Sequence, residues 1–188
     1  IAVIALSAKM AKADGIVTNE EIRAFKQVFF IPKNEEKNAS MVFNLARKDV
    51  AGFEIYANKI SKMLYSNTKV LEELLEGLLH IATSDGKYHP AENQFIETVA
   101  KIFKINRVKL NVLKSRYLPN EIINPFLILD ANPNWDISLI KKKWKQLVRE
   151  CHPDKYLIRG LPSEAVVLAN NRLLKINEAW EMIKKMKN

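Results

Sequence analysis

The chain has 188 residues, of which 48% are hydrophobic, and this is enough apolar content for packed cores and excludes a disordered polymer. Its 30 Lys and Arg outnumber 21 Asp and Glu, giving a formal charge of +9 that favours an acidic partner: nucleic acid, anionic lipid or an acidic protein surface. Cys151 is the only cysteine, which excludes an intramolecular disulfide and a multi-thiolate zinc site, and no apolar run approaches the ~18 residues of a membrane span.

Apolar residues recur at helical spacing, period-two alternation is missing, and most glycines and prolines fall between the periodic segments, so the chain is expected to be all-α. Helices are predicted near 1–13, 18–31, 35–48, 53–66, 68–84, 90–104 and 107–117, then near 125–130, 136–151 and 163–186. The first of these opens on Ile1 in place of Met, so the sequence is read as a fragment or processed product of a longer chain.

A weak repeat organises the first seven helices. Ala13-Asp14-Gly15-Ile16-Val17-Thr18-Asn19-Glu20-Glu21 resembles Ser84-Asp85-Gly86-Lys87-Tyr88-His89-Pro90-Ala91-Glu92, and each copy joins two amphipathic helices. Gly15 and Gly86 suit a left-handed helix stop, Thr18-x-x-Glu21 reads as a capping box, and His89, Pro90 and Glu92 suit the N-cap, N1 and N3 positions. The same acids, Asp14, Glu20, Glu21, Asp85 and Glu92, with His89, also offer the oxygen and nitrogen donors of a cation site. Ile16, Lys87 and Tyr88 interrupt the alternation of oxygen donors that a calcium loop needs, so turn and cap chemistry is preferred and no metal or other cofactor is expected. His80, in the apolar context Leu78-Leu79-His80-Ile81, reads as a satisfied core or boundary histidine.

Pro119 and Pro125 flank a polar stretch that ends one helix and delays the next, which puts a domain boundary there. Residues 1–118 then carry 18 basic and 13 acidic side chains, and residues 119–188 carry 12 and 8, for net charges of +5 and +4. The shorter domain has the higher charge density.

In that domain Ile137, Ile140, Trp144, Leu147, Val148 and Cys151 lie on one face of a helix, while Lys141, Lys142, Lys145 and Arg149 form a basic stripe on the other side. Pro153 forces His152 out of helical geometry, so the helix should stop near Cys151 and display His152 and Asp154 beside the stripe. Val166, Ala169, Leu173, Ile176, Ala179, Trp180 and Ile183 define an antiparallel partner helix, with Phe126 to Leu129 packing on the pair. A Cys151–His152 catalytic dyad is disfavoured, because Cys151 continues the buried face while adjacent side chains diverge. A basic helical nucleic-acid binder or scaffold is the rival reading. The exposed stripe is dominated by lysine, with Gln146 the only amide of the helix, so no nucleic-acid partner is expected.

The run Asn124-Pro125-Phe126-Leu127-Ile128-Leu129, the basic helix from Ile140 to Leu147 and the loop His152-Pro153-Asp154-Lys155 together resemble the J domain of DnaJ-type co-chaperones, from about Asn124 to Lys185. The loop Lys155 to Glu164 and the repeated Asp-Gly turns resemble the DjlA-type membrane-anchored subgroup, whose J domain follows a TerB-like helical domain. Asp130 stands where that family has a glycine, Trp144 where it has a tyrosine and Lys145 where it has an arginine. The resemblance implies a non-enzyme that activates ATP hydrolysis by a DnaK-type chaperone. It implies a partner surface of His152, Pro153, Asp154, Lys155, Lys141, Lys142, Lys145 and Arg149, with an unknown protein partner for the TerB-like part. It also implies a cytoplasmic chain that, at full length, is held at the inner face of a bacterial inner membrane and is dimeric.

Overall fold

A computed structural model describes residues 1–29, 31–118, 124–152 and 163–187, with the side chains of 163–168 left out of the description. Among the described residues the regular structure is entirely helical. The chain divides into two compact units, Ile1–Leu110 and Asn111–Asn188. The break falls inside a helix, ahead of the prolines that mark the polar stretch in the sequence.

The first unit contains α1 (Ala2–Met10), α2 (Asn19–Val28), α3 (Glu36–Ala46, led by a short 3-10 turn), α4 (Phe53–Met63), α5 (Thr68–Ala82), α6 (Pro90–Ile102) and the start of α7 (Arg107–Ser115). Six consecutive residues of α1, Ala5 to Met10, are buried, and the helix packs on α3, α4 and α5. A helix covered on successive positions is a central strut, and its small alanines let neighbours approach closely. Lys9 lies within that strut, 6% exposed, and its Nζ donates to the carbonyls of Asp49 and Ala51 at 2.7 and 2.8 Å. A buried ammonium is costly unless its donors are satisfied, and here the turn between α3 and α4 satisfies two of them.

Phe25 gathers Phe29 and Phe43 at ring separations of 5.4 and 4.7 Å, within a core shared with Ala8, Ala24 and Ile81. Gly77 lets α2 lie close against α5, since a Cβ there would sit 2.5 Å from Cγ1 of Val28. His80 on α5 is half-buried with Nε2 3.0 Å from Oε1 of Gln27, and burial holds its pKa below the ordinary value. Of the two expected settings, core or boundary, the half-buried position and this contact fit the boundary.

The second unit contains the rest of α7, the single turn α8 (Pro125–Ile128), α9 (Ile137–Glu150) and α10 (Ser163–Lys187). Its core joins Ile128, Leu129, Ile140, Leu147, Cys151, Ile176, Ala179, Trp180 and Ile183, all among the apolar positions anticipated from helical spacing, whereas Ile137, expected on the same face of α9, is exposed at the first helical position, ahead of the packed turns. Three cross-links fix α9 antiparallel to α10. Nζ of Lys187 reaches the carbonyl of Trp135 at one end, Trp144 Nε1 donates to Asn177 Oδ1 in the middle, and Arg172 Nη1 lies 4.0 Å from Cys151 Sγ at the other.

Candidate partner-docking site

The basic stripe is laid out by the burial of the opposite face of α9. With Ile140 and Leu147 in the core and Trp144 half-buried, the 100° step per residue turns Lys141, Lys142, Lys145 and Arg149 outward, and all four are exposed. The last helical residue is Glu150, and Cys151 caps the helix at φ −97° and ψ 7°. His152 follows as an exposed residue at the same end as Arg149. Pro153, Asp154 and Lys155 lie outside the described residues, so the geometry assembles five of the eight expected docking residues: Lys141, Lys142, Lys145, Arg149 and His152.

Cys151 is 5% exposed within the apolar core, whereas His152 is exposed. The two adjacent side chains therefore occupy different environments, which is poor geometry for a nucleophile and its base.

Lys143, which is not part of the stripe expected from the sequence, points elsewhere: its Nζ pairs with Asp130 Oδ2 at 3.0 Å. Asp130 has φ 52°, and the N–H of Ala131 donates to the carbonyl of Phe126 at 2.9 Å. This is a Schellman-type stop in which an aspartate occupies the left-handed position usually taken by glycine. Asp130 thereby ties the turn after α8 to the flank of the basic helix.

Asn177 is a second contributor that lies outside the residues expected from the sequence. Its amide oxygen accepts from Trp144 at 2.9 Å, beside the Trp144–Trp180 stack with centroids 5.3 Å apart. A half-buried asparagine between Ile176 and Ala179 on the inward side of α10 was the available signal.

The Asp-Gly turns of the first unit have matching geometry. Asp14 Oδ1 accepts from the N–H of Ile16 and Asp85 Oδ1 from the N–H of Lys87, both at 2.9 Å, and Gly15 and Gly86 have φ of 97° and 81°. Each turn leads into a capping box. The Thr18 N–H donates to Glu21 Oε2 at 2.8 Å, and the Glu21 N–H returns to Thr18 Oγ1 at 3.2 Å. His89 N–H donates to Glu92 Oε2 at 2.6 Å, with Pro90 at N1. Both capping carboxyls are pushed up to about 7, first by burial and then by nearby negative charge that includes Asp14 and Asp85.

Residues 1–115 match the family model described as tellurite resistance protein TerB. Over nearly the whole chain the sequence is similar to proteins named co-chaperone protein DjlA. The one from Vibrio parahaemolyticus is 23% identical, over 99% of this chain and 77% of its own length. Those from Coxiella burnetii and Legionella pneumophila are 23% and 22% identical, over 95% and 97% of this chain and 74% of their own lengths. No solved structure matches significantly.

Proposed function

Because the chain belongs to the TerB family and is a DjlA-type protein, we propose that it is a co-chaperone that stimulates ATP hydrolysis by a DnaK-type chaperone. The observation that carries this reading is the row Lys141, Lys142, Lys145 and Arg149, exposed on α9 and ending beside His152. Such a face speeds and orients encounter with an acidic groove, while each exposed ion pair adds only about 0–1 kcal/mol, so docking is weak and salt-sensitive. Pro153, Asp154 and Lys155 complete the docking set in this reading.

In this proposal residues 119–188 are the activating J domain and residues 1–118 an interaction module for a further protein. The chain performs no catalysis of its own. Attachment at the cytoplasmic face of the inner membrane, and dimerisation, belong to the same reading of the full-length protein. Among the described residues no helix is long and apolar enough to cross a membrane. Single-turnover ATP hydrolysis by DnaK, with and without this chain at low ionic strength, tests the reading. Stimulation that His152→Gln or Asp154→Asn abolishes at unchanged melting temperature supports it, and identical hydrolysis rates with and without the chain refute it.

A further inference from the structure

The end of the helix pair remote from His152 carries a second surface. Trp135 and Ile137 enter α9 at 39% and 41% exposure, Leu139 follows at 49%, and Met186 on the last described turn of α10 is 60% exposed. The 2.7 Å bond from Lys187 Nζ to the Trp135 carbonyl joins the two segments at this end. Exposed large apolar groups clustered at one end of a small unit call for a partner.

The charges around them are cationic. Lys185 and Lys187 flank Met186, and Lys141 and Lys142 follow Leu139 within a turn, all exposed. Two of the acids on this part of the helix pair are already engaged, Asp130 with Lys143 and Glu181 with Lys184 at 2.7 Å, and Asp136 is an exposed carboxylate at the start of α9. An excess of lysine ammonium groups therefore surrounds the apolar side chains.

We infer that this tip, built from Trp135, Ile137, Leu139 and Met186 among lysines, docks on the surface of an anionic lipid bilayer. A cluster of tryptophan and aliphatic groups interspersed with lysines suits the headgroup boundary, where rings and chains enter the acyl region while ammonium groups meet phosphate. A protein partner would instead favour a continuous apolar centre with charge held to its rim. The 14 residues of α9 separate the tip from His152 by about 21 Å, so a bilayer at the tip leaves Arg149 and His152 accessible, while Lys141 and Lys142 lie in both surfaces. Bilayer docking needs no ATPase partner, and its test through Trp135, Leu139, Lys185 and Lys187 uses none of the residues of the docking stripe.

Co-sedimentation of the whole chain with vesicles tests it, using phosphatidylcholine alone and with about one-third phosphatidylglycerol. Expected are binding to the anionic vesicles only, loss of binding at high salt, and quenching of tryptophan fluorescence by brominated acyl chains. Trp135→Ala with Leu139→Ala should weaken partitioning by about tenfold or more. Lys185→Glu with Lys187→Glu leaves the apolar core untouched but removes the Lys187–Trp135 cross-link, so its melting temperature is measured alongside; it should weaken binding comparably while staying folded, and Trp135→Phe should largely retain binding. No binding to anionic vesicles, or binding that both double variants leave intact, overturns the inference. So does capture of an acidic protein or nucleic acid through these residues without vesicle binding.

Discussion

Trp144 and Asn177 hold the two long helices of the second unit in register: the indole N–H of one meets the amide oxygen of the other at 2.9 Å, against the stacked ring of Trp180. Asn177→Ala is expected to lower stability by about 1 kcal/mol, the net value of such a bond. Trp144→Phe removes the same donor while keeping a ring in the stack. The double variant should lose less than the two single losses combined, and urea denaturation of all four proteins measures this coupling. Full additivity would show that the bond does not contribute to register.

Glu21 and Glu92 make the first unit sensitive to pH. Their folded pKa values, about 7, lie above the ordinary carboxyl value of 4.5, so folding takes up protons between those limits. The stabilisation from their protonated forms is complete below pH 4.5 and is lost as pH rises through 7. Within that window the melting temperature of the first unit should fall as pH increases. Glu21→Gln with Glu92→Gln preserves the capping geometry and should flatten the slope, raising the melting temperature at pH 8. A pH profile unchanged by the double variant would rule out these two groups as its source.

At Asp130 two opposing effects meet. Glycine would relieve the φ of 52°, a gain of about 1 kcal/mol, but would sever the partly exposed pair with Lys143, worth about 0–1 kcal/mol. Asp130→Gly should therefore change stability by less than about 1 kcal/mol, whereas Asp130→Ala keeps the strain, loses the pair and should be the least stable of the three. Thermal melts give the ranking directly, and an alanine variant as stable as the glycine variant would remove the strain argument.

Lys145→Glu with Arg149→Glu reverses charge on two exposed positions and should leave the melting temperature within about 1 °C, because neither side chain contributes to the core. DnaK stimulation at low salt should fall by tenfold or more, and the deficit should narrow as added salt screens the wild-type attraction. Equal stimulation by variant and wild type would remove the basic face from the docking surface.

Local rules reached far in this chain. The stop at Gly15 and Gly86, the Thr18–Glu21 and His89–Glu92 boxes, and the end of α9 before His152 all depend on residues a few positions apart, so spacing alone reveals them. The predicted ends of α1 and α4 overshoot by about a turn, because helical spacing continues into residues that form turns instead. Less accessible were relationships that exist only after packing. The centrality of α1 follows from three helices closing round it, and the diversion of Lys143 from the stripe requires Asp130 to arrive from a separate turn. Asn177 likewise acquires its role only once the helix register brings Trp144 opposite.

Lys9 gives the linker between α3 and α4 an unusual footing. Two of that linker's peptide oxygens solvate a cation rooted in the most enclosed helix of the first unit, so an irregular stretch is moored to its innermost element. Such a segment has already surrendered its conformational freedom during folding.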